Sequence, residues 1–219
     1  SDNSYFGSYV TIKYNTLGDS LWTRRHEFST ADFEAPSAMS LDNGGNTVVT
    51  GTVGNSGTDF GTVRYNSSGS QQWAVKFYGA QIIEDRANGI ARDKNGNVYT
   101  VGKAKTGQGG DNIIVAKYNP SGVQQWVYNT GGTFAGYNAY DEGKAIAVDS
   151  NGYVYFTGTV YNHPTTKNDI CTGKLDSNGN RLWHSVWVPT GPQHGDDIGN
   201  DIIVDTLGNV YITGQYTNL

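Results

Sequence analysis

Short apolar runs alternate with polar, glycine-bearing turns along the whole chain, and none of the runs has helical spacing. In one clear stretch they fall at Gly89 to Arg92, Val98 to Lys103, Ile113 to Tyr118 and Gln124 to Tyr128. The alternation in Val98-Tyr99-Thr100-Val101 predicts strands, designated A, B, C and D within a unit. The A-to-B link, Asp93 to Asn97, and the C-to-D link, Asn119-Pro120-Ser121-Gly122, both predict hairpins. In such turns glycine supplies a positive φ and the Asp or Asn side chain accepts from turn N–H groups. The longer segments 129–142 and 189–200 are expected to carry the chain from the outer strand of one unit to the inner strand of the next.

The pattern repeats. Trp22, Trp73, Trp126 and Trp183 follow equivalent turns and are 51, 53 and 57 residues apart; the A-to-B aspartates Asp42, Asp93, Asp149 and Asp205 are 51, 56 and 56 apart. A period of about 40 to 55 residues with four short strands per unit predicts the blades of an all-β propeller. The chain starts with a C–D pair (Tyr9 to Tyr14, Ser20 to Arg24), contains three full units, and finishes with an A–B pair (Asp201 to Val204, Val210 to Tyr216). The expected fold is therefore a single domain, 1–219, of four antiparallel four-stranded blades. Its repeats lie at about 34–78, 85–130 and 141–188, and the last blade is closed by pairing segment 197–219 with segment 1–28. Pairing of the same halves between molecules, or membership of a larger ring, stays open beside this.

Composition narrows the function. Thirty Gly and 15 Tyr against 5 Pro and 1 Met suit tight turns between strands. A net charge of -5 without a Lys/Arg cluster argues against nucleic acid or an anionic membrane as partner. No apolar run approaches the roughly 18 residues of a membrane span. The one cysteine, Cys171, sits in a hydrophobic strand and reads as a small buried residue. The repeat fills the chain, leaving no segment for a separate catalytic module.

The third unit carries Asp141-Glu142-Gly143-Lys144-Ala145-Ile146-Ala147-Val148-Asp149, then Gly152 and Val154-Tyr155-Phe156-Thr157-Gly158. With the Lys-Tyr and Gly-x-x-x-Trp elements, this resembles the SBBP-type bacterial β-propeller repeat over essentially the whole chain. The first unit departs most, with Pro36-Ser37-Ala38-Met39 before its aspartate, and Lys174-Leu175 replaces Lys-Tyr. The resemblance implies a secreted or surface-exposed bacterial protein, and the family name implies seven blades. It implies no reaction.

Four acidic residues stand eight positions before the turn aspartates: Glu34, Asp85, Asp141 and Asp197. Symmetry would gather them around the mouth of the axial channel, where Asp85, Asp141 and Asp197 could ligate Ca²⁺ or the ring could steer a cationic partner. The simpler expectation is that each accepts backbone N–H groups at the start of strand A. No other cofactor is expected. Trp187, outside the repeat, and Tyr137, Tyr140 and Tyr161 in the loops are the aromatic candidates for a contact surface. The reading favoured is a non-catalytic secreted or cell-surface module for interaction, adhesion or assembly, taking a protein or glycan ligand at a loop face. A lectin-like propeller stacking sugars on those aromatics is one alternative. The other is a hydrolase or lyase using loop carboxylates with His194, which requires an asymmetric cluster within hydrogen-bond reach.

Overall fold

A computed structural model describes residues 7–29, 33–54, 57–79, 84–105, 110–131, 140–163, 167–189 and 195–217. All regular structure among them is strand, and no helix is long and apolar enough to cross a membrane. The chain opens with β1 (Tyr9–Tyr14) and β2 (Ser20–His26), a two-stranded sheet. Three complete meanders follow. They are β3 (Phe33–Leu41) to β6 (Gln71–Phe77) through β4 (Thr47–Gly54) and β5 (Asp59–Tyr65); β7 (Arg86–Arg92) to β10 (Gln124–Thr130) through β8 (Val98–Lys105) and β9 (Asp111–Tyr118); and β11 (Glu142–Val148) to β14 (Arg181–Trp187) through β12 (Val154–His163) and β13 (Lys167–Leu175). A second two-stranded sheet, β15 (Ile198–Val204) and β16 (Val210–Gln215), ends the series.

Strands of type A face one another from blade to blade, with β7 packed between β3 and β11, and β11 between β7 and β15. They begin earlier than the alternation predicts, because each carries a β-bulge, at Ser37, Asn88, Lys144 and Asn200, that breaks the two-residue period. The bulged side chains reach across the inner face: Ser37 Oγ donates to the Ala87 carbonyl at 2.5 Å, and Asn88 Nδ2 donates to the Gly143 carbonyl at 2.8 Å. The recurrent Thr-Gly or Val-Gly of strand B has a packing reason. A Cβ at Gly102 would run into the Arg86 carbonyl on the adjacent inner strand.

The core lies between blades. Tyr99, Val101, Ile113 and Val115 of the second blade interlock with Ile146, Phe156 and Leu175 of the third. Each such side chain contributes about 1.5–3 kcal/mol by leaving water. Sandwiched on both faces, β4 is buried along its entire length and β8 nearly so. By contrast β16 is exposed at every position after Val210.

The expected closing ladder is not formed. β1–β2 and β15–β16 are separate sheets, with no pairing between β16 and β1 among the described residues. Three complete blades flanked by two halves make an open arc rather than a closed four-bladed ring.

Candidate functional site

The four recurrent acids are all buried, and each holds a junction between blades. Glu34 Oε1 accepts from the N–H groups of Phe28 (2.5 Å) and Ser29 (3.2 Å). Asp85 accepts from Gly79 N (2.7 Å) and Lys105 N (3.2 Å), Asp141 from Tyr161 N (2.6 Å), and Asp197 from Thr217 N (2.9 Å). In the last three, the donor lies three residues beyond the strand-B glycine, while the acid's own N–H donates to Thr58, Asp111 or Asn168 of the preceding blade. The acid thus clasps two blades, its N–H bound at the preceding blade's C strand and its carboxylate bound at the end of its own blade's B strand. Among the described residues no three His, Cys, Asp or Glu side chains come together as a metal ligand set, and Asp85, Asp141 and Asp197 stand in separate junctions.

Burial, reinforced by Asp59 and Asp111, pushes Asp85 up to about 6 despite its two N–H donors. Its folded value lies above that of an unfolded aspartate, so the extra stability from the bound proton is fully present below about pH 4 and is lost as pH rises through about 6. Urea midpoints of the native chain and Asp85→Asn should therefore differ more at pH 4.5 than at pH 7.5, in favour of the native chain. A gap independent of pH would contradict this.

One cluster breaks the four-fold pattern. Glu142 Oε1 accepts from Asn88 Nδ2 (2.8 Å), and its Oε2 accepts from Lys144 Nζ and from Tyr140 Oη (both 2.7 Å). The Tyr140 ring lies under Lys103 Nζ at 4.7 Å, and Lys103 is paired with Asp111 at 2.7 Å. Burial raises Glu142, but the Lys144, Tyr140 and Asn88 hydrogen bonds outweigh it and hold the carboxylate below its usual range. Burial and the bond to Glu142 push Tyr140 up to about 12. A stabilised carboxylate with three donors is a weak base, and the cluster it centres ties the inner strands β7 and β11 together. Lys103 and Lys144 carry no motif of their own, but each interrupts a column of neutral residues: Thr52, Thr159 and Gln215 for one, Ser37, Asn88 and Asn200 for the other.

The remaining candidates scatter. Tyr137 and His194 lie outside the described residues. Tyr161 is half-buried in β12, and its N–H is the one clasped by Asp141. Trp187 is half-exposed and meets Tyr216 edge to face at 5.9 Å. Cys171 is fully buried against His184 Nε2 at 2.8 Å, and burial pushes its thiol far up, which removes it as a nucleophile.

The tryptophan repeat resolves into a knob and a socket. Trp22 lies on Gly69, Trp73 on Gly122 and Trp126 on Gly179, so close that a Cβ on any of these glycines would sit within 2.8 Å of the indole. Each socket glycine has φ between 81° and 85° and belongs to the C-to-D turn of the following blade. Each indole N–H donates to a carbonyl of that same turn, at Ser67 (3.2 Å), Pro120 (3.0 Å) and Ser177 (3.1 Å). Trp183 and Gly18 are the unmatched members. Trp183 is 39% exposed, against 9% for Trp22, and its N–H has no acceptor among the described residues. A Cβ on Gly18 would meet nothing within 4 Å.

Beside them lie the two open strand edges. Val10, Ile12 and Tyr14 of β1 are exposed, as are Tyr211 and Ile212 of β16. Trp183, Trp187, Ile170, Val210 and Ile212 line a largely apolar groove of about 390 Å³ between the third blade and β16.

Sheet order, bulges and indole docking define a β-propeller array. The SBBP β-propeller repeat matches the chain at two places, residues 78–106 and 191–218. No curated protein sequence matches. Among solved structures, a protein of unknown function from Bacteroides caccae is similar at 15% identity and a TM-score of 0.50, over 90% of this chain and 61% of its own. A gluconolactonase from Xanthomonas campestris is similar at 13% identity and a TM-score of 0.45, over 93% of this chain and 61% of its own. These likenesses concern the fold. The chain spans about three fifths of the length of either protein.

Proposed function

We propose that this propeller array is a non-catalytic assembly module, in which the A–B half-blade of one copy and the C–D half-blade of another complete a shared blade. The observation that carries this reading is the unmatched pair, Trp183 without a socket and Gly18 without a knob, next to two unpaired strand edges. The complete blades supply the register. Val49 opposes Val63, Thr100 opposes Ala116 and Phe156 opposes Gly173. By repeat position Ile212 would then oppose Ile12, with Val210 opposite Tyr14 and Thr213 opposite Thr11.

Such a contact is head-to-tail, with different surfaces on the two partners. The described residues hold three complete blades and two halves, so a ring shared by two such chains would have eight blades, the upper end of the common propeller range. Burying Val10, Ile12, Tyr14, Trp183, Trp187 and Ile212 would remove the apolar surface gathered at the ends of the arc. Light scattering across a concentration series should give twice the chain mass of 23.7 kDa. A constant 23.7 kDa at every concentration would overturn the reading.

A further inference from the structure

Arg92 breaks the repeat at a buried position. The residues ending the other inner strands are Leu41, Val148 and Val204, whereas the Arg92 side chain is a cation only 6% exposed. It reaches into the turn of the preceding blade, where Nη2 donates to Asp42 Oδ2 at 2.9 Å and Nη1 to the Asn46 carbonyl at 3.5 Å. The reason stands on strand B. Asp93, Asp149 and Asp205 each accept from a tyrosine hydroxyl six residues on, at Tyr99, Tyr155 and Tyr211. In the first blade that residue is Val48, so Asp42 lacks a phenol and the next blade supplies a guanidinium instead.

A polar cavity of about 550 Å³ opens at this junction, lined by Ser40, Asp42, Arg64, Arg92, Lys94 and Pro120 among others. Arg64 enters from the C strand: Nη1 donates to the Pro120 carbonyl at 2.7 Å, and Nη2 lies 3.8 Å from the Asp42 oxygen that Arg92 already holds. Two guanidiniums therefore share one carboxylate. Each also keeps a buried Nε–H with no acceptor among the described residues. An unpaired buried donor is costly, and it is rarely left without a partner unless a ligand or water completes it. Asp93, on the same wall, directs its oxygens to Asn95 N, Asn97 N, Asn97 Nδ2 and Tyr99 Oη and makes no ion pair with either guanidinium among the described residues. Burial and repulsion from Arg92 lower the Arg64 pKa, as expected of two cations held together without enough counter-charge.

We infer that this cavity binds a small oxyanion, a carboxylate or phosphate group of a ligand, between Arg64 and Arg92 with Lys94 at the rim. Guanidinium groups suit such anions because their planar forks match two oxygens at once. The site exists at one junction alone, since the others put an apolar residue where Arg92 stands and a tyrosine where Val48 stands.

Calorimetric titration with inorganic phosphate and with galacturonate, as separate arms, tests the site. The native chain should bind at least one of them with one-to-one stoichiometry, and the stronger arm identifies the anion class. Val48→Tyr/Arg92→Val rebuilds the arrangement of the other blades, giving Asp42 its phenol and filling the cavity. It should melt like the native chain and bind at least about 10-fold more weakly, the loss expected for about 1.4 kcal/mol of charge-assisted contact. Arg92→Val alone should lose both binding and stability. Absence of binding in both arms, or equal binding by the folded double variant, would overturn the site.

Discussion

Trp126→Ala is expected to cost about 3 kcal/mol of unfolding free energy, whereas Trp183→Ala, the same change at the equivalent position, should cost less than about 1 kcal/mol in the dissociated chain. Trp126 fills the space between the second and third blades. It packs near Tyr99 with ring centroids 5.9 Å apart, lies on Gly179, and donates to the Ser177 carbonyl at 3.1 Å. Its removal uncovers the core cluster it packs against and leaves Lys117 Nζ, at 2.8 Å from the Ser177 carbonyl, to hold the Gly179 turn without the indole. Trp183 has the near contact with Tyr155, at 6.5 Å, but no turn beneath it and no acceptor for its N–H among the described residues. Its truncation therefore removes little from one chain. In the shared blade the same indole would fill the Gly18 socket, so Trp183→Ala should abolish association while leaving the urea transition of the dilute protein nearly unchanged. Two variants, one motif and opposite readouts separate packing within a chain from packing between chains.

Much of the fold was legible in the sequence because the turns carry their own chemistry. The aspartate-to-asparagine turns hold as expected, with Asp93 Oδ1 accepting from Asn95 N and Asn97 N, both at 2.9 Å. Phase and strand count follow from the tryptophans and the A-to-B turn aspartates. The inner strands were read short because the bulges at Asn88 and Lys144 disturb alternation, and a bulge is visible only once its partner strand is known. Closure is not decided by the repeat. Complementary half-units specify which strands can pair, but not whether they pair within one chain, where β1–β2 and β15–β16 remain separate sheets.

Recurrence points to the acids, and they accept backbone N–H groups, but from the ends of strands B and D rather than from the start of strand A as expected. What recurrence hides is the exception. Lys103, Lys144 and Arg92 each depart from their column, and each departure has its partner in space: Lys103 pairs with Asp111 on the adjacent strand and lies over Tyr140 of the next blade, Lys144 pairs with Glu142 on its own strand, and Arg92 answers Val48 across a blade junction. Such compensation is spatial. In the sequence Arg92 and Val48 are two unrelated irregularities, and only the packing of the second blade on the first explains either by the other.

Oxidative cross-linking at the proposed strand pair tests the shared blade most directly. Cross-strand neighbours lie about 4.5–5.5 Å apart at Cα, within reach of a disulfide, and the native Cys171 is fully buried and will not compete. Chains carrying Ile12→Cys mixed with chains carrying Ile212→Cys should form a disulfide-linked dimer, while neither variant alone should cross-link. A chain carrying both substitutions should give the same covalent dimer. Closure of that double variant on itself as a 23.7 kDa monomer, or a mixture that stays uncross-linked, would contradict the shared blade.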